Sequence, residues 1–163
     1  MNIEFGCGAN PTKPGYLTCD IRDLPGIDFV CPAWEIENHV RPNSVDHIFS
    51  RHFLEHLTFA QADKLVAVWY RILKPGAVCE LSVPNMEYHI AQWQKGKNMA
   101  HACAGFWGWQ REGEFQMWDV HKSGYNEKTL TELFVGKGFV DPISYKKPTH
   151  KHLHMSFSRP NIS

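Results

Sequence analysis

The sequence lacks the features that announce several common functions. No stretch is apolar for long enough to cross a bilayer. No charged-then-apolar leader ending in small residues is visible, so no signal peptide is expected. Neither sign of charge dominates, since 17 lysines and arginines face 17 aspartates and glutamates. With no polybasic tract and no acidic tail, neither a nucleic-acid partner nor a disordered appendage is expected. No glycine-rich turn runs into G-K-[ST], which excludes the phosphate loop of nucleoside triphosphate enzymes. The five cysteines, Cys7, Cys19, Cys31, Cys79 and Cys103, include no C-x-x-C pair, and three lie in apolar, strand-like runs. They read as small buried hydrophobes in a reducing, hence cytoplasmic, compartment. Internal repeats and low-complexity segments are also missing.

What is present suffices for one domain over residues 1–163, with a real core. The organising stretch is Ile3-Glu4-Phe5-Gly6-Cys7-Gly8-Ala9-Asn10, an apolar strand that collapses into a turn with two glycines one residue apart. Such a turn reaches torsions closed to other residues and lets a ligand approach the main chain. Strand-like runs follow at 16–21, 27–31, 45–50 and 77–83, with 33–41 irregular or one loose helical turn. Pro11, Pro14 and Gly15 forbid a helix between the first two strands. Thr58 and Gln61 form a capping box for a helix carrying Ala62, Leu65, Val66, Trp69, Ile72 and Leu73 on one face, ended by Lys74-Pro75-Gly76. Residues 86–125, rich in tryptophan and phenylalanine (Trp93, Phe106, Trp107, Trp109, Phe115, Trp118), read as an inserted, partly irregular cap. Asn126 caps a second helix, and runs at 139–145 and 153–158 pair antiparallel at one edge. This alternation predicts an α/β, three-layer Rossmann-like, mostly parallel sheet with an antiparallel edge hairpin.

The order of these motifs resembles the class I S-adenosylmethionine-dependent methyltransferases, in particular the small type 11 group. Glu4-Phe5-Gly6-Cys7-Gly8 resembles the glycine-rich first motif, and Asp20 the acidic residue ending the second strand. Asn43-Ser44-Val45-Asp46-His47-Ile48 is similar to the fourth-strand motif, and His52-Phe53-Leu54-Glu55-His56-Leu57 to the histidine-rich turn after it. Leu73-Lys74-Pro75-Gly76 and the tail His121-Lys122-Ser123-Gly124-Tyr125 complete the likeness. The chain departs from the family pattern in three ways. The first helix is missing, Asn10 stands in place of the third glycine, and Cys31-Pro32-Ala33-Trp34 stands where many relatives carry an aspartate.

The resemblance implies S-adenosylmethionine as cofactor, held by Glu4, Gly6, Cys7, Gly8, Asn10, Asp20, Ile21, Pro32, Ala33, Trp34, Ser50, Arg51 and His52. A ribose diol offers two donors that one carboxylate can accept, and Asp20 is placed for that, unless it merely caps the next turn. Glu4 would hold the turn by accepting backbone or ligand donors. Trp34 stacks on adenine or packs in the core. A dinucleotide oxidoreductase is excluded because the last glycine of G-x-G-x-x-G and the helix behind it are both missing. His52 is the first candidate base and His121, with Tyr125, the second; a structural hydrogen bond is the plainer role for each. The acceptor is expected to be small or flat, bound by the aromatic cap. Alternatively the aromatic cap is a dimer surface, since exposed aromatic clusters often mark interfaces, and a first strand without flanking cover also favours a homodimer. The competing expectation is a non-catalytic methyltransferase-like binding or regulatory subunit.

Two histidine patterns invite metal readings. His52-x-x-Glu55-His56 matches the inverted zinc-protease motif, in which both histidines ligate and the glutamate is the base. That chemistry needs a third ligand on a long downstream helix, which offers only Asp63, so no metal is expected. His150, His152 and His154 alternate along a strand and read as a solvated cluster on an edge.

Overall fold

A computed structural model describes residues 1–113 and 117–162. Phe115 of the expected aromatic cap lies outside the described residues. The parallel strands are β1 (Asn2–Phe5), β2 (Leu17–Asp20), β3 (Phe29–Val30), β4 (Val45–Arg51) and β5 (Leu73–Pro84). β6 (Val140–Ser144) and β7 (His152–Ser158) are antiparallel to one another, and β7 is antiparallel to β5. All seven form one sheet in the order β3-β2-β1-β4-β5-β7-β6. The mostly parallel α/β sheet and its antiparallel edge hairpin are as expected. One detail is corrected: β7 lies inside the sheet and β6 forms the edge, so the histidines of 150–154 do not line an edge strand.

Side chains alternate across the sheet, with register shifts at Val45–His47 and Val140–Ile143. Ile3, Phe5, Cys19, Ile48, Leu81, Met155 and Phe157 point to one face and are buried. Helix α1 (Phe59–Ile72) packs there, and so does α4 (Glu127–Val135). The ring centroids of Trp69 and Phe5 are 5.3 Å apart, and Phe134 stacks on Phe157 at 4.2 Å. Each fully buried side chain of this size contributes roughly 1.5–3 kcal/mol. The predicted capping box at Thr58 and Gln61 is formed, and so is a second at Asn126 and Thr129.

The opposite face is polar, which is unusual for parallel strands. Among the described residues neither the β1–β2 nor the β2–β3 connection contains a helix. The third layer expected there is reduced to the extended segment of residues 9–16, where the prolines block a helix. Glu4 holds that segment down: its carboxylate accepts from the Thr12 and Lys13 N–H groups at 2.9 Å and from the Thr12 hydroxyl at 2.8 Å. Further along, Glu80 pairs with His154 at 2.7 Å, and Lys13 lies over the Phe49 ring.

The segment after β5 is more regular than its composition predicts. It holds α2 (Met86–Gln94) and α3 (Met99–Trp107), packed on each other. Because α2 starts where β5 ends, the pair stands at the carboxyl ends of the strands.

Candidate active site

Two cavities open side by side at those carboxyl ends, where open α/β sheets bind ligands. The first, about 380 Å³, is bounded by the turn after β1, the end of β2 and the Cys31–Trp34 segment. That volume suits a small organic ligand. The turn has the geometry its glycines allow: Gly6 and Gly8 have φ of 66° and 58°. A Cβ on Gly6 would stand 2.1 Å from the Phe53 ring. Asp20 faces the turn, its Oδ2 accepting from the Gly8 N–H at 2.9 Å, and it is buried. Its Oδ1 accepts from the Arg22 N–H at 3.0 Å and from Arg22 Nε at 3.2 Å. Arg22 also lies 5.7 Å from the Trp118 ring, so the guanidinium bridges the turn and the far wall. Burial, reinforced by Asp20 and Glu4, raises the Cys7 thiol to about 11, so it stays protonated at neutral pH.

The second cavity, about 360 Å³, is walled by histidine: His52, His56, His89, His101, His121 and His152 all line it. Six of the ten histidines in the chain therefore gather in one place. They come from five segments: the turn at 52–56, α2, α3, the stretch at 121 and β7. The segment at 121–123 is tied to the turn at Leu54–His56: the Lys122 and Ser123 N–H groups donate to the Glu55 carbonyl at 2.8 and 3.2 Å. The Ser123 hydroxyl donates to the Leu54 carbonyl at 3.2 Å. Helix α3 comes close because Gly105 has no side chain; a Cβ there would stand 2.2 Å from the His89 ring. Burial lowers His89 and His152 to about 4, helped by neighbouring imidazoles, and it lowers His121 as well. These rings are neutral at pH 7.

Most of the predicted cofactor residues meet in the first cavity. Gly6, Cys7, Gly8, Asn10, Asp20 and Ile21 line one side, and Pro32, Ala33, Trp34 and His52 the other. Three do not line it. Glu4 lies behind the turn with both oxygens taken by Thr12 and Lys13, which is the backbone-holding role. Ser50 is fully buried, and Arg51 points to solvent. His52 borders both cavities, and His121 lines the second. Sequence reasoning missed Arg22, Phe53 and the gathering of His89, His101 and His152. Arg22 was findable as a cation two residues after the key carboxylate. The histidine gathering was not, because only folding brings those segments together.

The sequence of residues 10–81, from the turn through most of β5, matches the type 11 family model described as a methyltransferase domain. Solved structures extend the likeness to the whole chain. The fold is that of the class I S-adenosylmethionine-dependent methyltransferases. A SAM-dependent methyltransferase from Methanosarcina mazei is 15% identical with a TM-score of 0.62, the match covering 99% of this chain and 92% of that one. The 1,6-didemethyltoxoflavin-N1-methyltransferase of Burkholderia thailandensis, solved with its substrate and S-adenosylhomocysteine, is 15% identical with a TM-score of 0.61, covering 98% and 71%. A structure of the Haloferax volcanii Trm112 methyltransferase activator with the putative methyltransferase gives 12% identity and a TM-score of 0.59, covering 99% and 82%. No curated protein matches the sequence significantly. Among the described residues, no helix joins β1 to β2 or β2 to β3. Among the described residues no helix is long and apolar enough to cross a membrane.

Proposed function

We propose that the chain is an S-adenosylmethionine-dependent methyltransferase acting on a small acceptor. S-adenosylmethionine is the donor and occupies the first cavity. The observation that carries this reading is Asp20, a buried carboxylate held against the Gly8 N–H at the mouth of a glycine turn. Each carboxylate oxygen has about two lone-pair sites, and Oδ2 has one partner, so a ribose hydroxyl can still donate to it. Glu4 supports the site from behind. Trp34 lines the cavity while packing against the core, and in this reading its ring meets the adenine.

The acceptor enters the histidine-walled cavity, beside helices α2 and α3. His52 lines both cavities, as His56 and Asp119 do, and in this reading it takes the proton from an acceptor that arrives protonated. Most of the remaining catalysis is alignment of donor and acceptor for an in-line displacement. The unpaired cysteines support a reducing, cytoplasmic setting. Exposed Trp107 and Trp109 on the cap support a homodimer, which sedimentation would test.

Calorimetry with S-adenosylmethionine and S-adenosylhomocysteine tests the donor site. Asp20→Asn should weaken binding at least about tenfold, about 1.4 kcal/mol. Folded protein that binds neither ligand at millimolar concentration would favour the second reading, a non-catalytic subunit. The observation behind that alternative is Arg22, which already sits on Asp20 and over Gly8 in a chain that lacks the first helix.

A further inference from the structure

The histidine-walled cavity contains a feature that methyl transfer does not require. Glu55, His56 and His121 each present a ligand-type atom, and these atoms lie within 4.8 Å of one another. We infer that these three residues form a binding site for a divalent transition metal of the zinc type, with a coordination position open to the cavity.

The hydrogen bonding around the three groups supports this. The Nδ1 of His56 is 3.1 Å from the Val120 carbonyl, and the Nδ1 of His121 is 3.0 Å from the Gly105 carbonyl. A carbonyl oxygen can only accept, so each Nδ1 carries the hydrogen. In the neutral ring that leaves the lone pair on Nε2. Histidine ligands of metals are held in this way, with the second ring nitrogen donating to a carbonyl or carboxylate that fixes tautomer and tilt. Two rings from distant segments are therefore set in the ligating tautomer, in contact at a centroid distance of 5.0 Å.

The carboxylate completes the set. Glu55 is 1% exposed. Its Oε1 is 3.2 Å from His52 Nδ1, whereas its Oε2 has no hydrogen-bond partner. A buried carboxylate oxygen left without a partner is destabilising, and a cation is the partner that its charge favours. Ligands about 2.1 Å from a tetrahedral metal stand roughly 3.4 Å apart. Small side-chain rotations therefore close the set, and the backbone pins at Glu55, Lys122 and Ser123 stay as they are. Two imidazoles and one carboxylate select borderline metals such as Zn²⁺ or Co²⁺ over Mg²⁺ and Ca²⁺, which prefer oxygen. Three protein ligands leave a fourth position for water or a small molecule, the arrangement of catalytic rather than structural zinc.

This is not the inverted protease motif. His52 has φ of 48° and stands before the turn at Leu54–His56, off any α-helix. It supports the carboxylate, and His121 replaces it as ligand. If the methyltransferase reading holds, the open position faces the acceptor, which would then carry an oxygen or nitrogen lone pair. That last step rests on the proposed function; the metal site does not.

The test uses full-length protein stripped with chelator. Zinc chloride is titrated by calorimetry, and Co²⁺ binding is followed by visible absorption. The expected result is one equivalent per chain, with the d–d bands of tetrahedral cobalt and no thiolate charge-transfer band. Glu55→Gln and His121→Ala should each weaken zinc at least about tenfold, while His101→Ala in the same cavity leaves affinity within about twofold. Absence of saturable one-to-one binding, a thiolate band, or equal loss in His101→Ala would overturn the site. Should a variant fail to fold, the cobalt spectrum of the unaltered protein decides alone. S-adenosylhomocysteine titrated into the stripped protein separates the two ideas: binding there without any zinc binding sinks the metal site and leaves the transferase reading standing.

Discussion

At the scale of single residues, the turn after β1 is held in shape by contacts that tolerate no added atom. Gly6 has a left-handed φ of 66° and lies against the Phe53 ring. Gly6→Ala therefore carries two costs, a strained torsion of roughly 1–3 kcal/mol and an overpacked contact of similar size. Urea unfolding should show a loss of at least about 2 kcal/mol. In a Phe53→Ala background the further loss should shrink to the torsional part, because the clash is gone. Equal costs in both backgrounds would mean that Phe53 is not what confines the turn. Asp20 was legible in the sequence as the acid at the end of the second strand. Arg22, its actual neighbour in the structure, belongs to a local pattern that the search for family motifs passes over.

At the scale of elements, capping was readable and packing was not. Thr58 and Gln61 satisfy each other's backbone N–H groups, and both signals are local in the sequence. Thr58→Ala should cost about 1 kcal/mol, read from the denaturant midpoint, with no change in the ultraviolet spectrum of the folded protein. The segment of residues 9–16 behaves as an element without regular structure. Its amides at Thr12 and Lys13 are bonded to Glu4 rather than to a helix. In Glu4→Ala these two amides should lose most of their hydrogen-exchange protection while those of α1 keep theirs. Unchanged protection at Thr12 would show that Glu4 does not hold the segment. Residues 86–125 read as irregular because their tryptophans and glycines obscure the helical period, yet α2 and α3 form against each other.

At the scale of the whole molecule, the gathered histidines make stability depend on pH. His89 and His152 fall from the usual 6.5 to about 4 in the folded protein, chiefly through burial, with His101 and His121 facing the first and His52, His150 and Lys151 the second. Between these values the unfolded chain binds protons that the folded chain refuses. Stability therefore rises with pH from about 4 to about 6.5 and is flat with respect to these groups above that. The melting temperature should fall as pH drops from 7 towards 5. His89→Gln should flatten the slope. An acid-insensitive melting curve for the unaltered protein would contradict the buried, neutral state assigned to these rings.

The sequence by itself determined the strands and the helices α1 and α4, because the apolar alternation, the capping boxes and the prolines act over a few residues. It also determined that Gly6, Gly8 and Asp20 belong together, because a turn and the end of the next strand are brought side by side by parallel pairing. Only the tertiary structure decided that His121 meets Glu55 and His56, and that His89, His101 and His152 line the same cavity. Those facts depend on contacts between segments tens of residues apart, and a pattern along the chain carries no record of which distant segments will touch.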